Sequence, residues 1–181
     1  IIIADLNLPL AGQVAAELNQ QFGAGTALAL PVDVGQEDSV RQLVQETVLA
    51  FGGIDLLVSN AGVLRAGGLA EMDLASFEFV TRINYTAFFL MAKYAAVPMR
   101  LQARFDQEYF ADIVQINSKS GLEGSNRNFA YAGSKFGGIG LVQSFAKELV
   151  EDRIKVNAVC PGNYYEGPLW SDPEKGLFTQ Y

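Results

Sequence analysis

The sequence predicts an α/β fold in which a doubly wound parallel sheet carries helices on both faces. Three observations lead to this prediction: short apolar runs rich in β-branched residues recur along the chain, segments of helical period separate them, and the runs are apolar on both alternating sides. Strands of that kind must be covered on both faces of their sheet, and the intervening helices supply the cover. We expect one domain over residues 1–181, without internal repeats.

Five strands are predicted from the apolar runs. Ile, Val and Leu dominate these runs, as is typical of strands inside a parallel sheet. The runs cover residues 1–5 (IIIAD), 27–34 (ALALPVDV), 54–59 (IDLLVS), 112–117 (DIVQIN) and 154–160 (IKVNAVC).

Four helical segments are predicted between the strands. Val14, Leu18 and Phe22 define the first, and the second repeats apolar residues from Val40 to Phe51 at i, i+3 and i+4 spacing. The third runs from about residue 74 to 104 and is apolar on more than one side. The fourth runs from about residue 129 to 150.

Composition excludes several classes of function. The formal net charge of −7 and the lack of basic runs argue against a nucleic-acid partner. One cysteine excludes an internal disulfide framework, and the absence of histidine removes the common zinc sites. The apolar opening IIIADLNLPL is too short to cross a membrane. We expect a cytoplasmic, metal-free protein.

Small polar or acidic residues follow most of the predicted strands. In sheets of this kind ligands bind beyond the carboxyl ends of the strands. The convergence of these residues therefore indicates a binding site, although each type also ends strands in many proteins. The residues are Asp5, Asp33, Asn60-Ala61-Gly62, Ser118 and Pro161-Gly162.

Tyr131 and Lys135 offer a way to move protons in a chain without histidine. Residues at i and i+4 share one face of a helix, so the ammonium can lie beside the phenol. A nearby positive charge stabilises phenolate and makes a tyrosine usable as an acid or base closer to neutral pH. Taken alone, the pair is also compatible with two neighbouring side chains on an ordinary helix surface.

The pair together with its companions resembles the short-chain dehydrogenase/reductase family. Members of that family interconvert carbonyls and alcohols with NAD(P) on a Rossmann-type fold. The resemblance covers essentially the whole chain, which it implies is a partial NAD(P)-binding catalytic domain. The matching segments are Asn60-Ala61-Gly62, Asn84 in RINYTAFFL, Ser118 in IVQINSKSG, the Tyr131/Lys135 pair, Pro161-Gly162 in VNAVCPGN and Asp33-Val34.

The resemblance implies a catalytic group of four residues. Tyr131 exchanges the proton of the reacting alcohol, Ser118 holds the reacting oxygen, and Lys135 stabilises phenolate and reaches the nicotinamide ribose. Asn84 disturbs its helix to hold a water that links Lys135 to solvent.

The resemblance also implies an NAD site. Asp5 would accept hydrogen bonds from the adenosine ribose and repel a 2′-phosphate, which favours NAD over NADP. The remaining cofactor contacts would come from Asp33, Val34, Asn60, Ala61, Gly62, Tyr131, Lys135, Pro161 and Gly162.

Two parts of the family pattern have no counterpart in the sequence. Neither the first strand with its glycine-rich phosphate loop nor the closing helix and strand is present, so we expect residues 1–181 to be the middle of a domain of roughly 250 residues. In GNYYEGPLW, the threonine that commonly follows the proline-glycine turn is also missing.

Three sequence strings are similar to the sorbitol-6-phosphate 2-dehydrogenase branch of the family. They are QINSKSG, KFGGIGLVQS and GNYYEGPLW, and they imply a role in carbohydrate metabolism with a polyol phosphate or sugar phosphate as substrate. Ser118 and Tyr131 would contact the reacting oxygen, and Lys119 and Arg127 would offset the charge of the phosphate. Reduction of another ketone, such as a 3-oxoacyl thioester, and a non-catalytic Rossmann-like binding module are the alternatives.

The family also implies a homotetramer. The aromatic-rich stretch YTAFFLMAKYAAVPM is apolar around the whole helix, and such a helix must be covered on all sides. We expect the subunit contacts on the helices that begin near residues 74 and 129.

Overall fold

Strands and helices alternate along the chain in the computed structural model, which describes residues 1–167, 171–174 and 176. A π-helical turn at Arg82–Thr86 joins two helices, and 3₁₀ turns at Lys119–Gly121 and Val150–Asp152 flank another. The α/β prediction is confirmed, and the predicted strands and helices are present. The elements are β1 (Ile2–Asp5), α1 (Leu8–Phe22), β2 (Leu28–Pro31), α2 (Glu37–Phe51), β3 (Leu56–Ser59), α3 (Leu74–Thr81), α4 (Ala87–Phe105), β4 (Ala111–Ile116), α5 (Phe129–Leu149) and β5 (Ile154–Val159).

All strand pairs are parallel, as the sequence predicts. β1 pairs with β2, and β4 lies between β3 and β5. The register sets Val58 opposite Val114 and Ile113 opposite Val156, so apolar side chains form rows across the sheet. Because the strands are parallel, the carboxyl ends of β3, β4 and β5 lie at one edge.

Among the described residues, the strands form two sets, β1–β2 and β3–β4–β5, that share no backbone ladder. A cleft of about 780 Å³ lies between β1 and β3, and its walls include Leu43 of α2 and Met91 of α4. Leu56 and Val58 of β3 are 56% and 50% exposed there, although the sequence pattern predicts buried strands. The reason is that, among the residues described, β3 has a strand neighbour on one side only.

The main core packs α4 and α5 against the sheet of β3, β4 and β5. Phe88, Met99, Ile113 and Ile154 are 2% exposed or less within it. Burying such side chains stabilises a fold by about 1.5–3 kcal/mol each. This packed core therefore holds the ends of β3, β4 and β5 in fixed positions. In the described part of the chain, no helix has the length and apolar character needed to cross a bilayer.

The loop before β3 is held by side chains from α4 and from the segment before β4. The backbone N–H of Ile54 donates to Oε1 of Gln102 (2.8 Å), and the hydroxyl of Tyr109 donates to the Ile54 carbonyl (2.6 Å). Burial raises the pKa of Tyr109 to about 12, and the carboxylate of Asp55 adds to the rise. The phenol is therefore protonated, and able to donate, throughout the neutral and mildly alkaline range.

Replacing Tyr109 with Phe should lower the free energy of unfolding by about 1 kcal/mol at pH 8, the usual contribution of one such hydrogen bond. The folded pKa of Tyr109 lies above the unfolded value near 10, so this contribution is complete below pH 10 and is lost as the pH rises toward 12. Urea unfolding of both proteins from pH 8 to pH 11 should show the difference shrinking. A difference that stays constant across this range would contradict the assignment.

Candidate active site

The carboxyl ends of β4 and β5 continue side by side beyond the strands. The N–H of Asn117 donates to the Val159 carbonyl (2.8 Å), and the N–H of Lys119 donates to the carbonyl of Pro161 (2.9 Å). The predicted site residues Ser118 and Pro161 are thereby brought to the same edge. Asn60, Ala61 and Gly62 follow β3 at this edge and are exposed.

Tyr131 and Lys135 lie on the first turns of α5 and face this edge of the sheet. Lys135 is only 5% exposed, and its Nζ donates to the carbonyl of Ile116, the last residue of β4 (3.0 Å). The same nitrogen lies 5.6 Å from the centroid of the Tyr131 ring. The structure thus places the ammonium beside the phenol, on the strand that leads into Ser118.

Burial lowers the pKa of Lys135 from its ordinary value, and Cys160 opposes this shift. Removing an ammonium from water disfavours its charged form, so burying the charged Lys135 side chain costs free energy. An ammonium has three N–H donors, and within the described residues the hydrogen bonds give it one acceptor, the Ile116 carbonyl. Donors remain for a bound hydroxyl-bearing molecule.

Asn84 lies in the π-helical turn that interrupts the long helix predicted for residues 74–104. It is 3% exposed, and its amide accepts from the Val63 N–H (2.8 Å) and donates to the Val63 carbonyl (2.9 Å). It also donates to Ser134 Oγ (3.1 Å), which donates to the Tyr131 carbonyl (2.7 Å). Single π turns often mark functional positions, and this one ties α5 to the segment after β3.

Ser118 begins the short 3₁₀ turn after β4. Its Oγ accepts from the Ser120 N–H (3.2 Å), and its own N–H donates to Oδ1 of Asn117 (2.8 Å). The side chain is half-buried, and its hydroxyl proton remains able to donate to another group. The turn therefore fixes the oxygen without consuming its donor.

The acidic residues predicted to contact a nucleotide follow β1 and β2. Asp5 is exposed, and one of its carboxylate oxygens accepts from the Asn7 N–H (2.8 Å). Asp33 accepts from the Gly35 N–H (2.9 Å), and the Val34 side chain packs against the apolar cluster beneath. A Cβ added to Gly35 would lie 3.0 Å from the Ile83 side chain, so this loop packs closely on the π-helical turn.

The predicted phosphate contacts each have a partner within the protein. The Lys119 ammonium lies 3.9 Å from a Glu123 carboxylate oxygen. Arg127, whose φ is +53°, forms an ion pair with Glu71, and that contact lowers the pKa of the Glu71 carboxyl. A substrate phosphate would have to compete with these carboxylates. All four side chains are half or more exposed, so such pairs are weak.

Sequence reasoning missed three buried polar residues of the site, Gln115, Asn117 and Ser134. Their exposed fractions are 2%, 4% and 6%. Signals were present: Gln115 is a polar residue inside an apolar strand run, and Asn117 and Ser134 directly precede two of the predicted catalytic residues. Buried amides and hydroxyls need partners, which this site supplies.

The donor and acceptor groups of the site fit a dinucleotide. The free donors of Lys135 suit ribose hydroxyls, and the second oxygen of Asp5 is an acceptor at the end of β1, across the cleft from β3. Within the residues that the structure describes, no cluster of three histidine, cysteine or acidic side chains could hold a metal ion.

A family model described as short chain dehydrogenase matches residues 1–171. A sorbitol-6-phosphate 2-dehydrogenase of Escherichia coli is 34% identical over 184 aligned positions, which cover 100% of this chain and 66% of the relative. A 3-oxoacyl-[acyl-carrier-protein] reductase of Synechocystis is 36% identical over 138 positions, covering 76% of this chain and 53% of the relative. The chain therefore spans no more than about two thirds of these relatives.

One solved structure with close similarity is that of sorbitol-6-phosphate 2-dehydrogenase from Erwinia amylovora. The TM-score is 0.88 at 36% sequence identity, and the match covers 93% of this chain and 64% of that chain.

Proposed function

Since the chain belongs to the short-chain dehydrogenase family, we propose that the protein is a cytoplasmic oxidoreductase that moves a hydride between NAD(H) and a polyol phosphate/ketose phosphate pair, such as sorbitol 6-phosphate and fructose 6-phosphate. In this proposal residues 1–181 form part of its catalytic domain. The single observation that carries it is the buried Lys135 ammonium, 5.6 Å from the Tyr131 ring and bonded to the strand that leads into Ser118.

In the proposed reaction, residues of the chain handle the proton, and a bound cofactor would supply the hydride acceptor. In the direction of alcohol oxidation, the Tyr131 phenolate accepts the proton of the substrate hydroxyl, and Ser118 Oγ donates a hydrogen bond to the reacting oxygen. Lys135 stabilises the phenolate through its charge. The C–H bond breaks with its electron pair as the C–O bond becomes a carbonyl. Reduction runs through the same positions in reverse.

Asn84 and Ser134 support this arrangement by joining the helix that carries Tyr131 to the segment after β3. The side-chain amide of Asn84 is fully engaged by Val63 and Ser134. Its role in the proposal is to hold α5 in place and to border the route from Lys135 to solvent. A Cβ added to Gly62 would lie 3.5 Å from Asn84 Oδ1 and 3.8 Å from Lys135 Nζ, so the segment after β3 lies close to both groups.

The cofactor proposal is NAD rather than NADP. Asp5 would accept hydrogen bonds from the adenosine ribose hydroxyls and repel a 2′-phosphate at the same position. Asp33 and Val34 would border the adenine. Asn60, Ala61, Gly62, Pro161 and Gly162 would line the cleft between the adenine and nicotinamide ends. When bound, the cofactor supplies the hydride acceptor or donor.

The substrate proposal is supported by two sorbitol-6-phosphate 2-dehydrogenases that are 34% and 36% identical to this chain. Lys119 and Arg127 are the cations proposed to meet the phosphate. A second candidate is the reduction of a 3-oxoacyl thioester, which the similarity to the Synechocystis reductase favours. The two candidates share the catalytic group, so turnover measured with each class of substrate separates them.

A homotetramer completes the proposal. Phe89, Val97 and Leu101 on α4 and Phe136 on α5 are 41–62% exposed, although a helical surface that apolar is usually covered. The sedimentation coefficient of the full-length protein tests this assembly.

Replacing Tyr131 with Phe should lower turnover at least about a hundredfold while the dissociation constant for NAD stays nearly unchanged, because only the proton-transferring hydroxyl is removed. NADH absorbance with fructose 6-phosphate measures the turnover. Tyr94→Phe is the matched control, because its hydroxyl bonds Glu37 on an exposed face of the protein. Turnover retained in Tyr131→Phe would exclude the proton-transfer role.

Replacing Asp5 with Ser should narrow the preference for NAD over NADP by roughly tenfold or more, since the repulsion between the carboxylate and a 2′-phosphate is removed. The ratio of kcat/KM for the two cofactors is the quantity to measure. Asp38→Ser, at an exposed carboxylate on α2, should leave the ratio unchanged. Equal use of both cofactors by the unsubstituted protein would contradict the role of Asp5.

Replacing Lys119 or Arg127 with Ala should raise KM for fructose 6-phosphate roughly tenfold, with a much smaller effect on fructose. The selective effect is expected because only the phosphate carries charge for these cations to offset. Lys155→Ala, which removes a lysine paired with Asp112 at the opposite ends of the strands, is the control. If the ratio of KM for fructose 6-phosphate to KM for fructose is the same in both variants as in the unsubstituted protein, these cations do not bind the phosphate. The phosphate is then bound elsewhere, or the substrate has none.

A further inference from the structure

The side chain of Asn117 is buried between the two segments that carry the proposed catalytic groups. It is 4% exposed and lies directly before Ser118. Its Oδ1 accepts from the Ser118 N–H (2.8 Å), and its Nδ2 donates to the Lys135 backbone carbonyl (3.0 Å). One amide therefore touches both the serine turn and the lysine helix.

Gln115 holds the same amide from the strand side. Its Oε1 accepts from Asn117 Nδ2 (2.8 Å), and the Gln115 side chain is 2% exposed. Both N–H donors of the Asn117 amide are thereby used, one on Gln115 and one on Lys135. With the oxygen on Ser118, every polar hydrogen of the group has a partner, which fixes the amide in one orientation.

Two glycines leave the space that this amide occupies. A Cβ added to Gly138 would lie 2.7 Å from Gln115 Nε2 and 2.9 Å from Asn117 Nδ2. A Cβ added to Gly121 would collide with Asn117 Oδ1 and lie 3.0 Å from the Lys135 carbonyl oxygen. A side chain at either position would displace the amide, so the amide fits only when both positions are glycine.

We infer that Asn117 is a positioning residue that sets the distance between Ser118 and the Tyr131/Lys135 pair. This inference rests on the proposed function, because the distance matters only if those groups act on one substrate. Few side chains can replace the amide, because a short side chain must provide one acceptor and two donors at the same place. Leucine has the same branched shape and the same number of side-chain heavy atoms but offers no hydrogen bonds.

The expected kinetic consequence is a loss in kcat with little change in KM. Asn117 lies behind Ser118 and Lys135, so its loss misaligns the reacting groups without removing one that binds substrate or cofactor. Misplacement of catalytic groups by about 1 Å can lower rates about a hundredfold.

The experiment compares Asn117→Leu, Gly138→Ala and the double variant in the full-length protein. Gly138→Ala displaces the amide without altering its chemistry, so it reaches the same result by another route. Each single variant should lower kcat at least about tenfold, with KM for NAD and for fructose 6-phosphate within about threefold of the unsubstituted values. Because both act through one contact, the double variant should be much less impaired than the product of the single effects.

Gly140→Ala is the matched control on the same helix, since a Cβ there meets nothing within 4 Å. It should leave kcat unchanged. Unchanged kcat in Asn117→Leu, or multiplicative effects in the double variant, would overturn the inference.

Amide hydrogen exchange provides a readout that does not depend on activity. The Ser118 N–H should be protected in the unsubstituted protein and lose protection in Asn117→Leu, while amides in the core of β4 keep theirs. Global loss of protection would mean that the variant is unfolded, and Gly138→Ala then decides the question. If the unsubstituted protein is active and these substitutions leave kcat unchanged, only the positioning role is contradicted. If the unsubstituted protein transfers no hydride, the proposed function and the positioning role are both contradicted.

Discussion

The burial of the Lys135 ammonium is the constraint on which the arrangement of the site depends. A charge removed from water needs a close acceptor, and the Ile116 carbonyl can serve only if α5 approaches the end of β4 closely. Gly138 permits that approach, because a Cβ there would lie 2.7 Å from Gln115 Nε2. Gly137 permits the close approach of α5 to the π-helical turn, because a Cβ there would lie 2.8 Å from the Tyr85 ring.

Two hydrogen-bonded connections then hold α5 to two other parts of the fold. Asn117 ties its backbone to the end of β4, and Asn84 ties it, through Ser134, to the π-helical turn. Both asparagines use donor and acceptor atoms at once, which a carboxylate or a hydroxyl cannot do in the same way. The site is thus rigid where the helix meets the sheet, and it is open at the exposed turns after β3 and β5.

Much of this could be predicted from the sequence because it is encoded locally. Periodicity located the strands and helices, and the position of residues just after each strand predicted the edge where Ser118 and Pro161 meet. The π-helical turn was not predictable, because it depends on partners that Asn84 finds at Val63 and Ser134, far away in sequence. The pairing of Arg127 with Glu71 was missed for the same reason.

The cleft between β1 and β3 bears on how the domain holds together. Within the part of the chain that the structure describes, β1 and β2 join the rest through packing around Leu43 of α2 and Leu90 of α4, without a shared ladder of backbone hydrogen bonds. Among the described residues, this apolar cluster therefore fixes where Asp5, at the end of β1, lies relative to Asn60, at the end of β3, on the two sides of the cleft.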